Sequence, residues 1–288
     1  MAATFSRRTR GVALAVGAIL TFLVLAGVTY QSVATALERH QFPHPGRLID
    51  VGGHQLHLHC VGDGSPVVVL ESAAAGMSAG WGSVQSDLGK TTRVCSYDRA
   101  GLGWSEAGDG DYEPSRVPDE LKTLLEHAHE RGPFIIVGHE LGATFARLYA
   151  ARFPRETAAL VLIDDPSENM PPTRSGMVRA VGAWPWLARI GLLRATRSLS
   201  RHAAGLPDGS RHATRVFLNR PDHLTRAALE ISRLREAATL ATADPVDPKL
   251  RVIRVTTSAK APPAFIASTD EARSVTRAVE EAVARVRR

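Results

Sequence analysis

Short apolar runs punctuate the central part of the chain and are typical of strands that are covered on both faces. These runs occupy residues 66–70, 92–97, 134–137, 159–163 and 250–256. Helical periodicity lies between or after them, over residues 118–130, 141–153 and 270–288. Buried strands that alternate with helices predict an α/β domain, in which a mostly parallel sheet is flanked by helices.

Two short strands joined by a Gly-Gly turn are predicted before these elements, over residues 48–51 and 55–60. The second strand alternates leucine with His57 and His59, which places both histidines on one face. Two histidines at this spacing suit a metal ion, but no third ligand stands nearby in the sequence. We therefore expect histidines on the surface of the strand and no metal site.

Residues 166–245 interrupt the alternation of strands and helices. This stretch is mostly helical, rich in arginine and broken by glycine and proline, and it contains no convincing strand. A long insertion inside an α/β fold is usually functional, for example as a lid that covers an active site. We expect a helical cap at this position.

The N-terminal part contains a stretch, residues 11–30, that has no charged side chain. Twenty residues are enough to cross a hydrocarbon core of about 30 Å as a helix. Arginines just before this stretch favour a cytoplasmic N-terminus. The pattern predicts a single-pass protein of the cell membrane with an extracytoplasmic domain. Its expected parts are a cytoplasmic segment over 1–10, a transmembrane anchor over 11–30, a linker over 31–46 and the domain over 47–288.

A cleaved signal peptide is the alternative for the same stretch. Ala34-Thr35-Ala36 resembles a cleavage site, although the apolar region of a signal peptide is usually only about 7–15 residues long. The length favours an uncleaved anchor. Either interpretation exports the domain.

Composition and charge exclude one class of partner. Hydrophobic residues make up 44% of the chain and charged residues 22%, as in an ordinary globular protein. The net charge is +6, but the arginines are scattered and form no basic stripe. We therefore expect no nucleic-acid partner. The sequence indicates no cofactor and identifies no protein partner.

The segment with the most chemical information is a buried strand that runs directly into a helix through Gly138-His139-Glu140-Leu141-Gly142. Hydrolases place G-x-S-x-G at such a turn, which is sharp and lifts the nucleophile above the sheet. The glycines allow the strand and the helix to pass each other closely. Both glycines are present in this chain, but Glu140 stands where the serine is expected.

Together with this turn, several motifs resemble the exported, membrane-anchored bacterial branch of the α/β-hydrolase superfamily. The resemblance covers about residues 43–168, and the rest of the chain matches only in outline. It implies an α/β-hydrolase fold with a helical cap insertion behind the N-terminal transmembrane helix. The motifs are GRL at 46–48, VGGH at 51–54, LHLHC at 56–60, VLE at 69–71, VCSYDRAG at 94–101, GWS at 103–105 and RLYAA at 147–151.

The resemblance assigns possible roles to a few positions. Glu140 takes the place of the nucleophile, and Asp164 or its neighbour Asp165 takes the place of the catalytic acid. The positions that correspond to the oxyanion pocket are Ala73, Ala74 and Leu141.

The catalytic histidine is missing from its expected place. In the superfamily it follows the last strand, whereas no histidine occurs in this chain after His223. The stretch between the 250–256 strand and the final helix is also short. We interpret this as a deletion of the last strand together with its histidine, with residues 264–267 as a remnant.

These features predict a catalytically impaired protein of this fold, which either binds a small hydrophobic ligand instead of cleaving it or is a decaying paralogue. Acyl transfer needs a nucleophile and a base that accepts its proton. The alternative is an active hydrolase in which Glu140 is a carboxylate nucleophile or base acting on esters, epoxides or alkyl halides. Its base would then come from His202, His212 or His223. A purely structural role at the membrane is a third interpretation.

Cys60 and Cys95 are the only cysteines. The resemblance places them on neighbouring strands, and the topology places them outside the reducing cytoplasm, which predicts a disulfide. Two free thiols buried in the core are the alternative.

Overall fold

A single mixed sheet forms the centre of the protein. The computed structural model describes residues 7–108, 110–166, 175–257, 265–266 and 268–288. Within them the strands are β1 (Arg47–Asp50), β2 (Gln55–Val61), β3 (Val68–Glu71), β4 (Val94–Tyr97), β5 (Phe134–His139), β6 (Thr157–Ile163) and β7 (Arg251–Val255). Their order in the sheet is β1-β2-β4-β3-β5-β6-β7. The pairs β1–β2 and β2–β4 are antiparallel, and the remaining pairs are parallel. The expected mostly parallel sheet is therefore confirmed.

Helices cover both faces of this sheet because the central strands are apolar on both sides. In β5, Phe134 and Ile136 pack on one face, and Ile135 and Val137 pack on the other. The helices of the first face are α3 (Val117–His127) and α4 (Leu141–Arg152), and those of the second are α2 (Gly82–Leu88) and α10 (Thr269–Val286). Side chains that point alternately to two buried faces explain the uninterrupted apolar runs in the sequence.

A helical excursion lies between β6 and β7, as the sequence predicted. Its helices pack against the start of α4, where Leu141 and Phe145 share one apolar cluster with Val181, Ile231 and other residues of the excursion. The helices are α5 (Ser175–Arg189), α6 (Leu192–Thr196), α7 (Asp208–Phe217), α8 (Pro221–Ser232) and α9 (Leu234–Ala243).

Helix α1 (Arg7–Gln41) is longer than the expected anchor. Within the described residues it contains one stretch, Thr9–Glu38, that is long and apolar enough to span a membrane. The helix does not stop at residue 30, so most of the expected linker over 31–46 is helical. No proline interrupts the sequence before Pro43, and the outer turns of the helix pack against the excursion.

The expected surface position of His57 is wrong. Its side chain is fully buried, and its Nδ1 donates a hydrogen bond to Asp98 Oδ2 at 2.9 Å. The main-chain N–H of Gly46 donates to Nε2 at 3.3 Å, which leaves Nδ1 as the protonated nitrogen. Strand β2 is therefore buried on both faces near its centre, and His57 ties the start of the domain to β4.

No strand follows β7 among the described residues. Phe265 and Ile266 are buried but lie outside any strand, while residues 264 and 267 lie outside the described part of the chain. Helix α10 then begins at Thr269, where the Ser268 hydroxyl accepts a hydrogen bond from the N–H of Glu271 at 3.1 Å. Serine followed three residues later by glutamate is a helix-starting pattern.

Candidate active site

Glu140 lies at a strained turn between β5 and α4. Its dihedral angles are φ 48° and ψ −114°, a conformation that side-chain-bearing residues rarely adopt. The two flanking glycines are required by contact distances. A Cβ on Gly138 would lie 2.3 Å from the Gly142 carbonyl oxygen, and one on Gly142 would lie 2.3 Å from the Glu71 carbonyl oxygen. The chain has kept the backbone of a nucleophile turn without its serine.

The Glu140 carboxyl group is in an environment that favours its neutral form. Burial raises the pKa of Glu140, and the nearby Asp164 raises it further, while His139 acts in the opposite direction. Among the described residues, no hydrogen bond to the Glu140 side chain is present. Burial without a hydrogen-bond donor works against the ionised form of Glu140, and nucleophilic attack requires that form.

The preceding residue, His139, turns to the opposite side of the strand from Phe134 and Ile136. Its ring lies beside Trp81, with 6.3 Å between the ring centroids, and its Nε2 is 3.6 Å from Asp164 Oδ2. That distance is slightly too long for a hydrogen bond. The contact is therefore a loose electrostatic one, between the position expected for the catalytic acid and the histidine of the turn.

Asp164 is also held by the segment that follows β7. Its carboxylate accepts hydrogen bonds from the N–H of Thr257 at 2.7 Å and from its hydroxyl at 2.5 Å. Burial acts to raise the pKa of Asp164, but His139 and the Thr257 donors outweigh it, and the pKa lies below its ordinary value. Asp164 is thus an ionised group at the carboxyl edge of the sheet. Its neighbour Asp165 pairs with Arg147 instead, at 3.2 Å.

The loop after β3, where an oxyanion pocket is expected, is closed by a buried arginine. The Arg99 guanidinium donates to the carbonyl oxygens of Ser72 at 2.7 Å and Ala73 at 3.0 Å. Ala73 and Ala74 are both buried, and Ala74 belongs to the same apolar cluster as Leu141. The structure therefore brings the three expected pocket residues together, within packed surroundings.

Arg99 also links the sheet to the excursion through carboxylates that the sequence pattern did not suggest. It donates two hydrogen bonds to Glu230 of α8, both at 2.8 Å, and one to Glu71 at 2.5 Å. The Tyr97 hydroxyl donates to the other oxygen of Glu71. All of these groups are buried, and burial raises the pKa of Glu71. The planar guanidinium of Arg99 donates to carboxylates on two sides. Buried charges are tolerated when they are paired and hydrogen-bonded in this way.

The histidines of the excursion do not supply a base to Glu140 in this arrangement. His223 accepts a hydrogen bond from the Gly103 N–H at Nδ1 (3.0 Å) and donates from Nε2 to the Ala75 carbonyl oxygen (3.2 Å). Both ring nitrogens are therefore occupied. The His212 ring stacks on Phe42, with 4.5 Å between centroids. His202 lies in a short 3-10 helix, Ser200–Ala203, where burial lowers its pKa.

The cavity beside His139, the residue before Glu140, is too small for a substrate. A cavity lined by His139, Trp81, Ala73 and Phe265 has a volume of about 10 Å³, whereas a single water needs about 10–15 Å³ on this measure. Several larger hollows lie elsewhere among the described residues. One of about 570 Å³ is lined by Phe42, His59, Trp104, Ala213 and other residues. Another, of about 850 Å³, is lined by Arg189, Arg220, Arg226 and other residues.

Cys60 and Cys95 are register partners in the antiparallel pair β2–β4, and their sulfur atoms lie at bonding distance. Within the described residues, the one group of side chains that is compact enough to hold a metal ion consists of these two cysteines and Glu130. Sulfur atoms joined in a disulfide are not available as thiolate ligands. The pair therefore cross-links two strands rather than forming a metal centre.

Comparison with known proteins finds similar sequences and similar folds. A family model described as the alpha/beta hydrolase fold matches residues 66–202. The 2-hydroxy-6-oxo-2,4-heptadienoate hydrolase of Pseudomonas putida is 31% identical over 121 residues, covering 41% of this chain and 44% of the relative. An AB hydrolase superfamily protein of Gibberella zeae is 39% identical over 99 residues, which are 33% of this chain and 30% of the relative.

A third relative is named as a membrane protein. The uncharacterized vacuolar membrane protein of Saccharomyces cerevisiae is 27% identical over 135 residues, covering 41% of this chain and 21% of that protein. The matched part of this chain spans less than half the length of each of these three relatives.

Solved structures show the same fold over most of the chain. The Cif epoxide hydrolase from Acinetobacter nosocomialis has a TM-score of 0.66 and 14% identity, covering 89% of this chain and 96% of that one. The epoxide hydrolase CorEH has a TM-score of 0.58 and 19% identity, covering 74% of this chain and 81% of that one. At such low identities the likeness establishes the fold alone.

Proposed function

As this chain belongs to the α/β-hydrolase superfamily, we propose that it is a membrane-anchored member that has lost ester hydrolysis and acts by binding. Glu140 replaces the nucleophile, and no histidine partners it among the described residues. The observation that carries this proposal is the geometry at the turn: the partly buried carboxyl group of Glu140 has no hydrogen-bond partner among the described residues, and burial raises its pKa.

Binding is the activity that the fold can still offer. The hollow of about 570 Å³ near Phe42 and Trp104 falls within the usual range of ligand pockets, about 300–1,000 Å³. Its lining is largely apolar, which suits the small hydrophobic ligand expected from the sequence. It lies away from Glu140, so a ligand bound there would not meet the nucleophile position.

The membrane part of the proposal rests on helix α1. Its apolar stretch, Thr9–Glu38, is long enough to cross a bilayer, which supports a single-pass protein of the cell membrane. The basic residues before the stretch orient the domain to the extracytoplasmic side. A disulfide between Cys60 and Cys95 agrees with that side, because disulfides persist in oxidising compartments. The helical excursion, approximately residues 166–245, then acts as the cap of the domain.

An active carboxylate enzyme remains the competing function. A Glu140 carboxylate would attack an epoxide or alkyl halide carbon directly, but the ester it forms must then be hydrolysed by a water activated by a base. His223 is occupied at both nitrogens. His139 is turned toward Trp81 and Asp164. These contacts support the non-catalytic interpretation.

The test is ester turnover by the wild-type protein and by Glu140→Ser, with p-nitrophenyl acetate and butyrate as substrates. We expect no turnover above buffer from either protein, because a serine without a base stays protonated near neutral pH. Thermal melts should show that the Glu140→Ser fold is kept, with a melting temperature equal to or above that of the wild type. Serine removes a carboxyl group that is partly buried without a partner.

Two outcomes would overturn the proposal. Wild-type turnover of the esters, or covalent labelling of Glu140 by an alkyl halide or an epoxide, would establish an active enzyme. Turnover that appears only in Glu140→Ser would reveal a base elsewhere, and His202, His212 and His223 would be the first residues to replace.

A further inference from the structure

Helix α1 is fixed to the excursion by a close contact between main chains. A Cβ added to Gly27 would lie 2.2 Å from the Ile190 carbonyl oxygen, and one added to Gly191 would lie 3.1 Å from the Gly27 carbonyl oxygen. Ile190 and Gly191 form the turn between α5 and α6. The absence of side chains at both glycines is what allows the helix and this turn to touch.

Polar side chains hold this contact in one orientation. Gln31 is 3% exposed; its amide donates to the Asn219 carbonyl oxygen at 2.8 Å and accepts from Arg194 Nε at 3.0 Å. Arg194 also donates to both carboxylate oxygens of Glu38, with 2.9 Å for the longer bond. Gly27, Gln31 and Glu38 are spaced by four and seven residues and share one face of the helix. The domain is therefore docked on α1 and does not swing freely from it.

Another face of the same turns is apolar and uncovered. Val33 and Leu37 are each more than half exposed, and their spacing by four residues aligns them along the helix. Tyr30 is also more than half exposed, but it lies beside the docked turn, since a Cβ on Gly191 would be 3.3 Å from its Cδ1. This stripe continues the apolar surface of the span past residue 30. An uncovered apolar stripe beside a docked domain is stable when lipid, and not water, covers it.

The excursion exposes further apolar groups next to the turn between α5 and α6. Trp186, in the last turn of α5, is 69% exposed, and Leu192 at the start of α6 is also exposed. The guanidinium of Arg189 stands over the Trp186 ring at 4.9 Å. Trp186 and Leu192 flank the turn that touches Gly27. Tryptophan and arginine are favoured where the hydrocarbon core meets the headgroups.

The start of the uncharged segment gives the depth of this turn. The segment runs from residue 11, directly after Arg10, to residue 37, and about 20 residues cross a hydrocarbon core of about 30 Å. A span that begins at residue 11 therefore ends near residue 30, and Gly27 then lies about 4–5 Å inside the outer boundary of the core. The turn between α5 and α6 is thereby placed at the lipid–water boundary.

We propose that the turn between α5 and α6, with Trp186 and Leu192, is a second membrane-contacting surface, whose partner is the interfacial layer of a phospholipid bilayer. This inference rests on the proposed membrane anchoring by α1. The excursion is then seated on the bilayer, and the protein contacts lipid through both a span and an interfacial patch.

The experiment uses the full chain in phosphatidylcholine vesicles whose acyl chains carry bromine near the headgroup end, since bromine quenches tryptophan fluorescence at short range. Wild type, Trp186→Phe and Trp184→Phe are compared in brominated and unbrominated vesicles. Trp184 is the matched control, because it lies two residues away and is half-buried against the protein core. Phenylalanine keeps a large apolar ring at either position.

We expect bromine to quench the wild type and Trp184→Phe, and the quenched fraction to be largely lost in Trp186→Phe. If Trp186→Phe is quenched as strongly as the wild type, the proposal is overturned. If wild-type emission is not quenched, a second copy of the protein or bulk water covers Trp186, and the proposal is equally wrong.

Carbonate extraction of the same vesicles separates this inference from the anchoring on which it rests. Protein that is released by carbonate refutes the anchor itself. Protein that is retained, without Trp186-dependent quenching, refutes only the interfacial contact. Neither outcome bears on ester turnover, which tests the remaining part of the proposed function.

Discussion

His223 is a histidine whose two nitrogens are both committed to main-chain partners. The Gly103 N–H and the Ala75 carbonyl oxygen fix the neutral tautomer. Burial lowers the pKa of His223, and this outweighs the opposite effects of Asp222, of Ala75 and of Asp98. The folded protein therefore holds this ring uncharged, whereas the unfolded chain takes up a proton near pH 6.5.

A dependence of stability on pH follows from that lowered pKa. The contribution of His223 to the free energy of unfolding is full above about pH 6.5 and is lost as the pH falls toward the lower pKa of the folded state. His223→Gln should cost about 1–3 kcal/mol at pH 7.5, because it disturbs two buried hydrogen bonds. The difference between the two proteins should shrink toward pH 5. Chemical denaturation at a series of pH values checks this, and parallel curves over that range would contradict it.

At Glu140, some features of the candidate site could be read from the sequence and others could not. The substitution, both glycines and the missing histidine were visible in the sequence, since each is defined by position alone. The raised pKa of Glu140 and the cavity of about 10 Å³ were not. They depend on side chains such as Trp81 and Phe265, which come from distant parts of the chain.

Among the elements, β2 and β4 are joined through Cys60 and Cys95, which face each other in the sheet. We predict that the denatured, unreduced protein contains no titratable thiol. Two reactive thiols in that assay would refute the disulfide. A bridge across 35 residues removes conformational entropy from the unfolded chain, worth about 3–4 kcal/mol in the chain-entropy description. Melting with and without reductant should show a corresponding loss of stability.

The strands were the most predictable elements, because an apolar run with two buried faces is a signal carried by consecutive residues. Helix α2 was not predicted: its residues Gly82–Leu88 are few and mostly polar or small, and they show no clear periodicity. The burial of His57 was missed for another reason. Its partner Asp98 is 41 residues away, and a polar residue is assigned to a surface unless a partner can be foreseen.

The outer turns of α1 were missed in the same way. The apolar pattern ends near residue 30, and the helix is continued by contacts with residues more than 150 positions later, such as Arg194. The buried cluster of Arg99, Glu71 and Glu230 is likewise a product of the tertiary fold. Local sequence patterns therefore predicted the sheet and the turn at Glu140. The contacts that attach the excursion to the rest of the protein could be seen only in the structure.

For the whole molecule, we predict that the protein stays with the membrane during extraction with carbonate or high salt. Helix α1 exposes its apolar side chains along nearly its full length, and such a helix is held by the hydrocarbon core, not by charge. Cell fractionation followed by immunoblotting measures the retained fraction. A mature protein whose N-terminal sequence begins near Leu37 would show cleavage instead, and it would be found in the soluble fraction.

The docking of α1 on the excursion also affects the order in which parts of the protein can assemble during synthesis. Gln31 meets Asn219 across 188 positions, and Glu38 meets Arg194 across 156. At about 5–20 residues per second, the ribosome makes these partners roughly ten to forty seconds after the helix. During that interval the outer turns of α1 lack the side-chain and main-chain partners that later hold them. These contacts of the domain therefore close onto a segment that was made much earlier, and we expect the outer turns of α1 to be fixed only after residue 219 has been made.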